Sequence, residues 1–532
     1  MAYIELNNVS FTYPEALVPA LDSINLSVQK GEFVVLFGPS GSGKSTLLRL
    51  LKEEIRPYGE LRGSILLKGA DSSSIGFVFQ DPENQVVADD PLHEMVFGLE
   101  NQGLPSNEMR NRVAEIVSFF GAEPILHKKM HELSGGKKQQ MNLASVLLMQ
   151  PDILVLDEPT SQLDPVSTRE LLDMLKRLNE EFGMTIILAE HRLDDCIILA
   201  DRMAMMDKGR IVYDSDPRSV MEQLWKEGER AFVPGIPSFF LEALSLTESE
   251  TVKRSDIKTL PLSVKEGRTL LHLIPERKLD GKKESSIGTE QTIEKPVLKA
   301  KNLGFRYEKN NSPVLDELNF DLKIGEIYAL LGGNGSGKST LLKLLSNVMK
   351  PETGKLTLEG IPFKKLKEID LARRIGYLPQ NPKLFFLHDT VGSEISAVCN
   401  QWGTPAQEAD ILIEQFSLSN LLQSHPYDLS GGELQKAAFV CLLLRKPEVL
   451  LLDEPTKGLD PVSKAALAQV LQKQKENGKA IVISTHDIEF AANHATRCGM
   501  LFQGEITSEA TPEEFFSGNF FYSTMIQRLF RN

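Results

Sequence analysis

Two sets of residues suited to binding and cleaving a triphosphate stand on this chain of 532 residues, in the same order and 294 to 296 positions apart. In the first, Gly38, Pro39, Ser40, Gly41, Ser42 and Gly43 lead into Lys44, Ser45 and Thr46. In the second, Gly332, Gly333, Asn334, Gly335, Ser336 and Gly337 lead into Lys338, Ser339 and Thr340. Small residues let successive backbone N–H groups turn inward around phosphate oxygens, at the positive end of the helix that follows. Lys44 and Lys338 then reach the β and γ phosphates of ATP, and the hydroxyls of Ser45 and Ser339 ligate Mg²⁺. Further on, ILVLDEPT and VLLLDEPT put Asp157 and Asp453 at strand ends, where a carboxylate orients magnesium and its waters. Glu158 and Glu454 lie one step beyond, suited to polarise an attacking water. His191 and His486 each follow another apolar run, which brings an imidazole near the γ-phosphate. A lone glycine loop can be no more than a tight turn, and a lone histidine is more often structural. Two matched sets favour the chemical reading.

The elements that must position these residues are also legible. Phe33–Phe37 and Ile327–Leu331 read as buried strands feeding the glycine loops, with helices beginning just after each lysine; Thr185–Ala189 and Ala480–Ser484 read as the strands before the histidines. Each half opens on alternating, strand-like sequence, YIELNNVSFTY and VLKAKNLGFRY. Roughly 95 residues of mixed, helix-rich pattern separate the start of each glycine loop from an LSGG run (133–136 and 429–432), whereas only 23 positions separate the LSGG serine from the aspartate. The long insert is expected to be a helical subdomain. Over 229–295 the repeat lapses. Pro234, Pro237, Pro261, Pro275 and the polar run GKKESSIGTEQTIEK read there as a flexible connector between a first domain, 1–228, and a second, 296–532. The aromatic end EEFFSGNFFYSTMIQRLF is expected to pack as a terminal element rather than form a separate binding site.

Composition excludes several classes. A net charge of −14 and pI near 5.3, with no Lys/Arg cluster, argue against a sequence-independent grip on nucleic acid or anionic lipid. Ten basic and ten acidic residues over 231–295 show that the connector is not a basic arm. Cys196, Cys399, Cys441 and Cys498 are scattered, without the close pairing of zinc or iron–sulfur sites, and are expected to pack in a reduced cytosolic protein. No apolar run approaches 18 residues, and MAYIELNNVS lacks a basic region followed by an apolar one, so neither a membrane span nor a secretion signal is expected.

The order glycine loop, glutamine (Gln80, Gln380), LSGG, DEPT, LD (Asp164, Asp460) and histidine resembles the ABC ATPases over nearly all but the connector and tail. The resemblance implies an α/β fold: two P-loop nucleotide-binding domains, each a RecA-like core with an antiparallel β subdomain and an α-helical subdomain. It also implies head-to-tail docking, in which the LSGG residues of one domain cap the nucleotide held by the other. Ser430, Gly431 and Gly432 would then complete the site of Lys44, Ser45, Gln80, Asp157, Glu158 and His191. Ser134, Gly135 and Gly136 would complete that of Lys338, Ser339, Gln380, Asp453, Glu454 and His486. The two glutamines would act beside the metal and the attacking water. Tyr13 and Tyr307 match the aromatic that stacks on adenine. The sequence departs from the family after LSGG, with Lys137 and Glu433 for the usual Gln, and Gln140 and Lys436 for the usual Arg. Both sites keep lysine, metal ligand and glutamate, so both are expected to hydrolyse ATP.

The segment FQDPENQVVADDPLHEMVFGLENQGLP (79–105) and EHRLDD (190–195) resemble the energy-coupling-factor ATPases of prokaryotic vitamin and metal importers, which LPQNPKLFFLHDTVGSEI (378–395) follows more loosely. That likeness implies a peripheral protein at the cytoplasmic face of the membrane, working with an integral membrane scaffold subunit and a small substrate-capturing membrane subunit. It implies no nucleic acid and no direct contact with the transported molecule. A fused sugar-importer ATPase would usually show an eroded second site. A soluble ABC translation factor would carry a charged helical arm in place of the proline-broken connector. Around Gln80, the apolar Phe79, Pro82, Val86 and Val87 are expected to receive a partner's short helix, with Glu83, Asp89 and Asp90 attracting a basic residue.

Overall fold

The computed structural model describes residues 3–16, 18–68, 74–245, 259–274, 296–308, 312–520 and 522–531. The chain divides into two compact units, 1–270 and 271–532. In the first, β1 (Ile4–Thr12) lies between β2 (Leu21–Val28) and β4 (Glu60–Leu67) in an antiparallel sheet. A second sheet has the order β5 (Ile75–Val78), β6 (Ile153–Asp157), β7 (Thr185–Ala189), β3 (Phe33–Phe37), β8 (Arg202–Asp207), β9 (Arg210–Ser215). Its first five strands run parallel and β9 is antiparallel. Strands β3, β6 and β7 are buried along their whole length, which is why FVVLF, ILVLD and TIILA read as near-continuous apolar runs: a parallel sheet covered on both faces has no wet side.

The second unit repeats this plan. The antiparallel sheet has the order β11 (Leu315–Leu322), β10 (Leu298–Phe305), β13 (Thr353–Leu358), β14 (Ile361–Pro362). The mixed sheet has the order β15 (Ile375–Leu378), β16 (Val449–Asp453), β17 (Ala480–Ser484), β12 (Ile327–Leu331), β18 (Arg497–Phe502), β19 (Glu505–Ala510). In both units the strand ends carrying the glycine loop, the acidic pair and the histidine are neighbours, since the order is 6-7-3 in one sheet and 16-17-12 in the other. Ligands of open parallel sheets bind at those carboxyl ends.

The long inserts are helical only in part. Their first portions supply β4 and β5, or β13 to β15, and the helices Pro91–Asn101, Ser106–Phe120, Val391–Trp402 and Ala406–Gln415 follow. Part of the 229–295 stretch is folded as well. Helix Gly235–Ser245 buries Phe240, its Gly235 N–H donates to Asp194 (2.8 Å), and Arg218 grips the carbonyl of Leu260 (3.0 Å) and Glu266 (2.9 Å). The polar run 281–295 lies outside the described residues. At the end of the chain Phe515, Phe516 and Leu529 are buried, and the Met525 N–H donates to Glu489 (2.7 Å). Asp194 and Glu489 hold the same place in the two repeats, so a helix late in each unit is latched at an equivalent point.

Candidate active sites

Each glycine loop turns directly from its strand into a helix, Lys44–Leu50 or Lys338–Leu345, capped by a left-handed glycine, Gly43 (φ 101°) or Gly337 (φ 106°). Both lysines are nearly buried and bend back over the loop. Lys44 Nζ donates to the carbonyls of Gly38 and Pro39 (3.0 Å each), and Lys338 Nζ to those of Gly332 (2.9 Å) and Gly333 (3.0 Å). Such a site offers a ring of N–H groups with an ammonium beside it, the chemistry of a phosphate cradle.

The acidic pair closes the site. Asp157 pairs in register with Ala189 at the end of β6, and Ser45 Oγ donates to its Oδ1 (2.9 Å). Burial first, then the neighbouring Glu158, pushes the Asp157 carboxyl up to about 6 against the pull of Ser45, Arg49 and Lys44. A desolvated carboxylate beside a hydroxyl offers hard oxygens to a cation. Among the described residues no group of three or more His, Cys, Asp or Glu side chains gathers as a metal cage. Mg²⁺ keeps most of its waters and takes one or two protein oxygens together with substrate phosphates, a demand that the Ser45 hydroxyl and the Asp157 carboxylate could meet. In the second unit Asp453 accepts instead from Ser484 Oγ (2.6 Å) and Tyr377 (3.4 Å).

Glu158 and Glu454 both have positive φ, 45° and 52°, an uncommon backbone for glutamate that clusters at functional turns. The Glu158 carboxylate meets His191 Nε2 (2.7 Å) and accepts from Gln80 Nε2 (2.7 Å). Glu454 meets His486 Nε2 (3.1 Å) and accepts from the His486 N–H (3.2 Å), and His486 Nε2 lies 3.3 Å from Lys338 Nζ. Gln80 is half-buried in its cluster whereas Gln380 is exposed. The adenine candidates are held by their hydroxyls, Tyr13 to Thr46 Oγ1 (3.1 Å) and Tyr307 to Thr340 Oγ1 (3.0 Å), which leaves the rings partly exposed for stacking.

The LSGG residues stand elsewhere. Ser134 and Ser430 are exposed N-caps of helices Gly135–Leu148 and Gly431–Leu444. No hydrogen bond among the described residues joins Ser134, Gly135 or Gly136 to the Lys44 cluster. Gly136 is required by packing, because a Cβ would lie 2.6 Å from Ser167 Oγ, whereas Gly431 has nothing within 4 Å. Ser430 forms a capping box with Glu433, its hydroxyl donating to Oε2 (2.7 Å), while in the other half Lys137 turns to Gln140 (2.8 Å).

Sequence reading missed several supports: Gln85, which accepts from the Phe79 N–H (3.1 Å), and the hydroxyls of Ser484 and Tyr377, none of which carries a recognisable spacing, and the hydroxyl of Thr160, which closes the DEPT run but whose partner nothing nearby indicates. It also misjudged the surface near Gln80. Pro82 is buried and Asp90 caps helix Pro91–Asn101, so these two are structural, whereas Glu83 stays exposed with its carboxylate paired to the nearly buried Lys138. Val87 and Asp89 are exposed, together with Leu92 and Phe97.

The ABC transporter family model matches residues 21–161 and 315–457. A putative ABC transporter ATP-binding protein of Bacillus thuringiensis subsp. konkukian is 44% identical over all of this chain and 96% of its own length. One from Methanosarcina acetivorans is 35% identical over 97% of this chain and 86% of that protein. Among solved structures, a Clostridium perfringens protein titled cbiO1, part of the ABC transporter complex cbiONQ, is 31% identical, with a TM-score of 0.38 over 43% of this chain and 97% of that one. The duplicated α/β units and their phosphate loops thus define an ABC-type ATPase. The chain belongs to the ABC transporter family, as an ATP-binding subunit carrying two ATPase domains.

Proposed function

We propose that this chain powers an energy-coupling-factor importer of a vitamin or metal ion, with two ATP sites that are each completed by the LSGG residues of the opposite half. The observation that carries the catalytic part is the repetition, in both units, of an acid at positive φ held against a histidine beside a lysine-bearing glycine loop. Lys44 and Lys338 hold the β and γ phosphates, and Tyr13 and Tyr307 stack on adenine. Ser45 with Asp157, and Ser339 with Asp453, would hold Mg²⁺, assisted by Gln80 and Gln380, and an ion bound there would supply neutralisation of charge on the phosphate oxygens. Glu158 and Glu454 accept the proton of the attacking water. His191 and His486 hold the glutamate and face the γ-phosphate. Ser134, Gly135 and Gly136, with Ser430, Gly431 and Gly432, open helices whose N-caps, Ser134 and Ser430, are exposed and suited to capping an anion, while Gly136 and Gly432 are buried behind them.

The importer type rests on the sequence of 79–105 and on two intact sites in one chain. Among the described residues no helix is long and apolar enough to cross a membrane, so the transport path falls to partners. Val87, Leu92 and Asp89 are the exposed residues offered to the scaffold subunit. The test is the purified double variant Glu158→Gln, Glu454→Gln. It should bind Mg-ATP yet release phosphate roughly 10²–10⁴-fold more slowly, the usual contribution of a general base. A wild-type rate would refute the assignment of the bases.

A further inference from the structure

Glu190 has no part in the chemistry above, yet it is one of the most enclosed acids in the chain, 2% exposed. It stands between β7 and His191, and its carboxylate spans two loops. One oxygen accepts from the Thr160 N–H (3.1 Å) and the Thr160 hydroxyl (2.7 Å), in the turn after Glu158; the other accepts from the His191 N–H (3.2 Å). Burial pushes its carboxyl up and the Thr160 donors pull it back. A carboxylate so enclosed persists only where fixed donors surround it. The second unit has Thr485 at this place. The Thr485 hydroxyl lies 3.0 Å from that of Thr456 and accepts from the Asp487 N–H (3.0 Å). One position in the duplicated plan is therefore a charged bridge in the first site and a neutral threonine pair in the second.

We propose that Glu190 is a positioning residue of the first ATP site: by gripping the Thr160 turn and the His191 backbone together it holds the histidine against Glu158. The proposal rests on the reading of Glu158 and His191 given under Proposed function. It makes the first site depend on a carboxylate that the second does without.

The test uses the full-length chain on two backgrounds: Glu454→Gln, in which only the first site turns over, and Glu158→Gln, in which only the second does. Glu190→Gln keeps an acceptor for Thr160 but turns an amide N–H toward the His191 N–H. On the first background it should lower kcat for Mg-ATP about tenfold while KM moves less than about twofold. On the second background the loss should be absent. Glu190→Thr sets a threonine opposite Thr160, as in the second unit, and should recover turnover to within about threefold of the first background alone. Unchanged kcat in Glu190→Gln, or an equal fall on both backgrounds, would overturn the proposal. So would a Glu190→Thr protein with unaltered melting that stays tenfold down, which decides the matter if the glutamine variant does not fold. The double variant Glu158→Gln, Glu454→Gln is assayed alongside; wild-type turnover there would refute the base assignment itself, a result distinct from a failure of Glu190 alone.

Discussion

Replacing Gly332 by alanine should abolish ATP binding at the second site, whereas the same change at Gly333, one residue on, should be tolerated. At Gly332, φ is 152°, and a Cβ would lie 2.5 Å from the carbonyl oxygen of Leu501 and 2.8 Å from Ser336 Oγ. The serine can rotate away, but the carbonyl belongs to β18 and is fixed by its sheet. Forcing a side chain into that backbone region costs ~1–3 kcal/mol, and displacing the packed loop costs ~1–3 kcal/mol more. The sum, on the order of 2–6 kcal/mol, weakens binding at least about thirtyfold. Gly333 has no positive φ and nothing within 4 Å of its Cβ, and the first half carries Pro39 at the equivalent place. Equilibrium dialysis with labelled ATP should therefore count two nucleotides per chain for wild type and Gly333→Ala, and one for Gly332→Ala. Two sites of wild-type affinity in Gly332→Ala would refute the view that this loop is the phosphate cradle.

Three further outcomes follow from the same geometry. Because burial holds the Asp157 carboxyl at about 6 against an ordinary 3.8, the folded chain binds that proton more tightly than the unfolded one. Ionised Asp157 then costs on the order of 2–3 kcal/mol above pH 6, a cost that fades as the pH falls through 6 toward 3.8. Asp157→Asn should accordingly raise the urea midpoint of the nucleotide-free chain more at pH 8 than at pH 5.5, and a pH-independent gain would contradict the charge origin. Ser134→Arg on the Glu158→Gln background should abolish the remaining phosphate release, because the proposed cap of the second site would then carry bulk and charge; unchanged release would favour independent sites. Asp89→Lys should weaken co-purification with the membrane scaffold and reduce uptake in cells while detached protein keeps its basal ATPase activity, and wild-type recovery of both partner and uptake would reject that docking surface.

The strands and phosphate loops were legible because their signals are local. FVVLF followed by glycines and a lysine has few structural uses, and its recurrence as IYALL in the second half repeats the argument. The acidic pairs and histidines were legible for the same reason, their spacing being kept across both copies. What could not be read were contacts that join distant segments through single side chains. Glu83 is the surface acid it looks like in the sequence, but nothing in its neighbourhood points to its pairing with Lys138, 55 residues on. Tyr377 reaches Asp453 across 76 positions. Helix Gly235–Ser245 was hidden by its prolines, Pro234 and Pro237, which sit just before its start and within its first turn, where proline is tolerated. Glu190 was visible in EHRLDD, but its burial depends on the Thr160 turn folding over it.

The most direct test of the account is to recover the tagged chain from gently solubilised native membranes and identify what comes with it. The account predicts one integral membrane scaffold subunit and one small membrane protein that binds a vitamin or metal ion, both released from the chain by Asp89→Lys. Recovery with a pair of sugar-type permease subunits, or with ribosomes in place of membrane protein, would contradict it.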